Sequence, residues 1–215
     1  MHLLFDLDGT LADSRPGIIA CIQHSLKENG LTVPAADELL WCIGPPLLET
    51  FKKLVSPDAA HLFEPAIGKY RDRYSAIGIF ECEVYPGVES ILTEFHALGH
   101  TLHVATSKAE IYAKRIIEHF GLGKYFASVN GSGLDGTRAN KSELIEYILQ
   151  QQNIAPMDAV MIGDREHDMI GAKANGIPAI GALWGYGTGG ELMESGATLC
   201  ARVPQLLPEL IESLQ

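Results

Sequence analysis

Short apolar runs recur along the chain, and each breaks into turn residues where a strand would end. Leu3-Leu4-Phe5 stops at Asp6-Leu7-Asp8-Gly9-Thr10, residues 102–106 stop at Ser107-Lys108, and residues 159–162 stop at Gly163-Asp164. Residues 177–182 and, more weakly, 126–129 have the same form. Runs without polar alternation predict strands buried on both faces. Between them, apolar positions recur at helical spacing over residues 88–98, 109–119, 142–151 and 168–175. Pro86 precedes the first of these helices and Gly99 closes it, while Gly121 and Gly176 follow two others, the asymmetry expected at helix ends. Strands alternating with helices predict an α/β fold with a doubly wound, Rossmann-like parallel sheet.

One interval breaks that rhythm. Phe5 and Thr101 are 96 residues apart, whereas a crossover between parallel strands needs only about 12. The surplus carries helical patterns at residues 17–29, closed by Gly30, and at 37–42, 47–54 and 58–77, with almost nothing that resembles a strand. The expectation is an α/β core of residues 1–14 and 83–215 with a small helical module, residues 15–82, inserted after the first strand. An insert there sits over the carboxyl edge of the sheet, where open α/β folds bind ligands.

Composition narrows the function. The net charge of −11 disfavours nucleic-acid polymers and anionic membranes, because no run of Lys or Arg offsets it locally. Four cysteines, scattered with no CxxC, suit a reducing compartment. Charge at Asp6 comes too early for a secretory signal, and no apolar run approaches the ~20 residues of a membrane span. A soluble, cytoplasmic protein is expected, as a monomer or homodimer.

The candidate chemistry is acidic. Asp6 and Asp8 directly follow the first strand, Asp164 follows a later one, and Asp168 falls on the first turn of the next helix. In a parallel sheet all four gather at one edge. Such a cluster requires a cation or protonation to offset its repulsion. Hard oxygen ligands without a His/Cys cluster point to Mg²⁺.

Asp6-Leu7-Asp8-Gly9-Thr10-Leu11, Thr106-Ser107-Lys108, Lys141 and Gly163-Asp164-Arg165-Glu166-His167-Asp168 resemble, in order, the four motifs of the haloacid dehalogenase superfamily. The inserted module resembles that superfamily's cap domain in its four-helix form. Val84-Tyr85-Pro86-Gly87-Val88 and Trp184-Gly185-Tyr186-Gly187 are similar to its phosphoglycolate-phosphatase-like branch, which includes enzymes acting on nucleoside monophosphates.

The resemblance implies an Mg²⁺-dependent phosphatase acting on a small phosphorylated metabolite. Asp6 would be the nucleophile and Asp8 the general acid and base. The carboxylates of Asp6 and Asp164 and the backbone carbonyl of Asp8 would hold Mg²⁺, with Asp168 binding its water or orienting the lysine. Thr106, with the N–H groups of Ser107 and Gly9, would bind phosphoryl oxygens at a helix N-terminus. Lys141 would stand between Asp6 and the phosphate, although the family's usual Pro is replaced here by Ser142.

Lys108 reads as a substrate contact or, with slightly more weight, as an exposed charge on a first helical turn. Arg15, Arg71 and Arg73 are candidate anion contacts, and Gly44 and Pro45 lie in a rigid turn similar to one that helps relatives choose substrate. Tyr70 and Tyr74 read as packing within the insert, His100 and His103 as packing or surface residues. A sugar phosphomutase remains a second reading, since Asp8 can activate water or a second hydroxyl. A receiver-like domain fits less well, having no helical insert of this size, and dehalogenase chemistry has no need of Asp8.

Overall fold

The computed structural model describes residues 1–214. After β1 (His2–Phe5) the chain turns into a two-residue strand, β2 (Ala12–Asp13), and then into three helices, α1 (Arg15–Glu28), α2 (Leu47–Leu54) and α3 (Phe63–Ala76). β3 (Glu83–Val84) returns antiparallel to β2, so the two ends of the helical segment are stapled together. From there strands and helices alternate: α4 (Val88–Ala97), β4 (Thr101–Ala109), α5 (Glu110–His119), β5 (Phe126–Ser132), α6 (Lys141–Gln151), β6 (Ala159–Gly163), α7 (Glu166–Ala174), β7 (Ala179–Ala182), α8 (Gly189–Glu194), β8 (Leu199–Ala201) and α9 (Leu207–Glu212).

The main sheet runs β5-β4-β1-β6-β7-β8, with every pair parallel. Successive side chains of a strand point to opposite faces, and β1 uses both. Leu3 and Phe5 pack in one core with Ile91, Phe95 and Ile116 of α4 and α5, whereas Leu4 packs in the other with Leu144, Ile148 and Met169 of α6 and α7. Strand order reverses at β1, which lies between β4 and β6. That reversal opens a crevice at the carboxyl ends of these three strands, each of which delivers one of the motifs read from the sequence.

The α/β sheet matches expectation. Of the four helical patterns in the insert, those at 17–29, 47–54 and 58–77 become α1, α2 and α3, the last entered through a 3-10 helix at Pro57–Leu62. The pattern at 37–42 becomes a 3-10 helix, Ala36–Cys42, bounded by Pro34 and by Pro45-Pro46. α1 and α3 pack against each other, with Ile22, Ile67 and Tyr70 in the shared core. Among the described residues no helix is long and apolar enough to cross a membrane.

Candidate active site

Asp6 stands one residue beyond β1, where its N–H donates to Ile162 O of β6 at 2.9 Å and continues the sheet ladder. Asp164 follows β6, and Asp168 is the third residue of α7, where Oδ2 accepts the N–H of Arg165 at 3.1 Å and caps the helix. One carboxylate oxygen from each of Asp6, Asp164 and Asp168 lies within 4.8 Å of the others. All three residues are buried, Asp164 completely.

Lys141 opens α6 behind the N-cap Asn140. Its ammonium lies 3.1 Å from Asp6 Oδ1 and 2.7 Å from Asp168 Oδ1, and donates to Ala105 O at 2.8 Å. Two carboxylates and one carbonyl thus surround the ammonium. Burial works against the charge, but the Asp168 and Asp6 carboxylates outweigh it and hold Lys141 above its usual value. Burial pushes Asp6 up to about 6; Lys141 opposes the rise, while Asp168 and Asp8 add to it. Burial, then the Asp6 and Asp168 charges, push Asp164 well above the carboxylate range.

Asp164 is held from the opposite side. Oδ1 accepts from Thr10 Oγ1 at 3.2 Å and Oδ2 from the Tyr186 N–H at 2.8 Å. Trp184 Nε1 donates to Thr10 O and Tyr186 Oη to Asp13 Oδ1, so the Trp184–Tyr186 stretch clasps the loop that carries Asp6 and Asp8. The Trp184–Tyr186 stretch is visible in the sequence only as a family resemblance, with nothing that points to this contact. Thr10 was visible only as a motif member.

Several expectations change. Asp8 does not join the three-carboxylate group; both its oxygens accept from Lys108 Nζ, at 2.7 and 2.6 Å. Lys108 is therefore no exposed charge on a helix. It lies inside β4, 7% exposed, because the strand runs on to Ala109 and α5 starts only at Glu110. For the same reason Thr106 and Ser107 occupy a strand end and not a helix N-terminus. Gly9 was expected to offer its N–H to a phosphoryl oxygen, but that N–H donates to Ala12 O at 2.8 Å. Glycine is required there for a different reason: φ is +83°, and a Cβ would stand 2.1 Å from Asp164 Oδ2. Arg15 turns to Asp13, 2.9 Å away, and lies over the Tyr186 ring. Arg73 is likewise committed to Glu81.

Beside Asp8 and Lys108 lies a cavity of about 110 Å³, walled mainly by the helical segment, with Gly44 and Pro45 on its rim. Tyr70 and Tyr74, expected only to pack the insert, also line it. Arg71 reaches across to donate to Leu134 O at 2.6 Å, and Arg165 donates from the other side to Ile43 O. A second cavity, about 210 Å³, lies between Ser107, Lys141 and His167. His103 is buried, bonded to His2 and Ser128, far from this chemistry in role.

A buried carboxylate cluster bridged by lysine thus lies at the switch point of a parallel sheet. Residues 3–182 match the haloacid dehalogenase-like hydrolase family, and the chain belongs to it. It is 40% identical over 212 residues to a 5'-nucleotidase of Pseudomonas aeruginosa, covering 99% of this chain and 96% of that one. It is 37% identical to the tyrosine-protein kinase PtkA of Mycobacterium tuberculosis, covering 99% of this chain and 72% of that protein. The crystal structure of a predicted phosphatase from Clostridium acetobutylicum is similar over 98% of both chains, with a TM-score of 0.91 at 40% identity.

Proposed function

We propose that the protein is an Mg²⁺-dependent phosphatase that hydrolyses a small phosphate monoester, of the phosphoglycolate or nucleoside monophosphate type, through an aspartyl-phosphate on Asp6. The observation that carries this reading is the meeting of Asp6, Asp164 and Asp168 around one lysine at the edge of the sheet.

The donor set suits Mg²⁺. Asp6, Asp8, Asp164 and Asp168 bring four buried carboxylates against the two buried ammoniums of Lys108 and Lys141, so two negative charges lack a partner when all are ionised. Every donor is a hard oxygen, and burial, with the neighbouring carboxylates adding to it, raises Asp6 and Asp164, a penalty that a bound cation would relieve. The carboxylates of Asp6 and Asp164, with the Asp8 carbonyl, would hold the ion. Asp168 accepts the Arg165 N–H at Oδ2 and pairs Oδ1 with the Lys141 ammonium, and so acts as the residue that orients Lys141. When bound, Mg²⁺ would neutralise phosphoryl charge in the transition state.

The chain's own residues supply the rest. An Asp6 oxygen attacks phosphorus as the bond to the alcohol oxygen breaks, and Asp8, entering the step in its protonated form, gives that oxygen its proton and becomes a carboxylate. Asp8 then takes a proton from water, which attacks the same phosphorus and breaks the Asp6–phosphorus bond. Thr106 and Ser107, at the end of β4, and Lys141 bind phosphoryl oxygens. Residues 15–82 act as a cap that covers the substrate and excludes bulk water, over a core of 1–14 and 83–215. Four unpaired cysteines suit the cytoplasm.

The test is phosphate release across a panel of metabolite monoesters, with and without Mg²⁺. Turnover that requires the ion and vanishes in Asp6→Asn supports the reading. Undiminished turnover in Asp6→Asn, or a rearranged ester without free phosphate, refutes it; the second result would favour the mutase.

A further inference from the structure

Two hydroxyl groups of the helical segment end in the cavity wall with nothing to bond. Thr50 on α2 is 1% exposed and Tyr74 on α3 is 2% exposed. Among the described residues neither Thr50 Oγ1 nor Tyr74 Oη has a hydrogen-bond partner, yet both side chains line the cavity that contains Asp8 and Lys108. Buried hydroxyls are nearly always paired, because leaving water without a replacement bond is unfavourable.

Packing accounts for the ring of Tyr74 but not for its hydroxyl. The ring stacks on Tyr70 with centroids 5.3 Å apart, meets Tyr112 edge-on, and lies beneath the Lys108 ammonium at 5.1 Å. Phe would make all of these contacts. Val would fill the place of Thr50 with the same shape and without a stranded oxygen. Arg71, on the same wall, likewise has Nε unpaired while its Nη2 is held by Leu134 O. The remaining wall is largely apolar, with Ile18, Ile22, Leu47 and Leu48.

We propose that Thr50 and Tyr74 are the residues that read the alcohol part of the substrate, and that this alcohol is neutral and ring-bearing, of the nucleoside class. The inference rests on the phosphomonoesterase reading and makes it more specific. Asp8 lies on the same cavity, so the leaving oxygen belongs at that end and the organic group extends between α2 and α3. A flat ring satisfies the aromatic and aliphatic wall. Sugar hydroxyls and ring nitrogens satisfy Thr50, Tyr74 and Arg71 Nε, since each hydroxyl both donates and accepts. A two-carbon acid would leave the aromatic wall and both hydroxyls without partners, and Lys108 is committed to Asp8.

The experiment compares kcat/KM for purine and pyrimidine nucleoside 5′-monophosphates, phosphoglycolate and phenyl phosphate in the wild type, Thr50→Val and Tyr74→Phe, alongside thermal melting. The wild type should prefer a nucleoside monophosphate. In each variant the nucleotide-to-phenyl-phosphate ratio of kcat/KM should fall about tenfold, the value of one lost hydrogen bond. Melting temperature should hold or rise, because an unpaired buried hydroxyl has been removed. A wild-type preference for phosphoglycolate, ratios unchanged in both variants, or a lower melting temperature in both overturns the proposal. Mg²⁺-dependent turnover of phenyl phosphate by the wild type reports separately on the phosphomonoesterase reading; without turnover of any ester, both fall.

Discussion

Lys108 and Asp8, one hundred residues apart in the chain, form a two-pronged ion pair at 2.7 and 2.6 Å beside the candidate centre. Each is nearly enclosed, with side chains 7% and 10% exposed, so each charge depends on the other. Removing one member of such a pair leaves an uncompensated buried charge, a loss of about 3–5 kcal/mol. Lys108→Met should therefore lose roughly 3 kcal/mol in urea denaturation. Adding Asp8→Asn should restore a large part of that loss, and strict additivity of the two would contradict the pairing.

Gly9 offers a sharper steric test. Its φ of +83° and the 2.1 Å approach to Asp164 Oδ2 mean that a methyl group displaces the carboxylate or the loop. Gly9→Ala should abolish most turnover and destabilise the fold by about 2 kcal/mol, the combined effect of left-handed backbone and overpacking. Near-wild-type activity would show that Asp164 is free to move.

The elevated carboxylates set a pH dependence. Asp6 titrates at about 6 when folded, against an ordinary value near 3.8, so between those limits the folded chain binds more protons than the unfolded one. Without metal its contribution to stability falls as pH rises through that window, and the loss is complete above about pH 6. Mg²⁺ should remove the penalty where Asp6 is ionised. The rise in melting temperature on adding Mg²⁺ should be clearly larger at pH 7.5 than at pH 5, and an equal rise at both would count against Asp6 as a ligand.

His103 acts in the opposite direction. Burial, aided by His2, lowers it to about 4 from 6.5, so the folded state resists protonation. Its stabilisation is complete above about pH 6.5 and declines as pH falls towards 4, by about 3 kcal/mol over that window. His103→Phe should flatten the acid side of the stability curve measured by denaturant. A slope unchanged between pH 6.5 and 4.5 would place the acid sensitivity elsewhere.

The fold and the aspartates were legible because most of the motifs lie where an apolar strand breaks, and parallel pairing then places those breaks on one edge. Asp6 and Asp164 needed no knowledge of loops, whereas Lys141, which opens α6, came only from the family resemblance. Asp8 and Gly9 were legible as positions but not in their partners, because those partners, Lys108 and Ala12, depend on how far β4 extends and how the first loop closes. Lys108 follows an apolar run that in sequence stops at Thr106, and only three-dimensional pairing with β5 carries the strand on to Ala109. Thr50, Tyr70 and Tyr74 face the cavity through the docking of the insert on the core, which no local periodicity encodes. β2, β3 and β8, two or three residues each, are too short for any alternating pattern to mark them.

The central claim is that Asp6 forms a covalent bond to phosphorus. Enzyme quenched in acid during turnover of a phosphate monoester with Mg²⁺, then digested and weighed by mass spectrometry, should carry one phosphoryl group on the peptide containing Asp6. The same treatment of Asp6→Asn should leave that peptide unmodified. A phosphoryl group found on a different residue, or brisk turnover with no phosphorylated peptide at any quench time, would contradict the account.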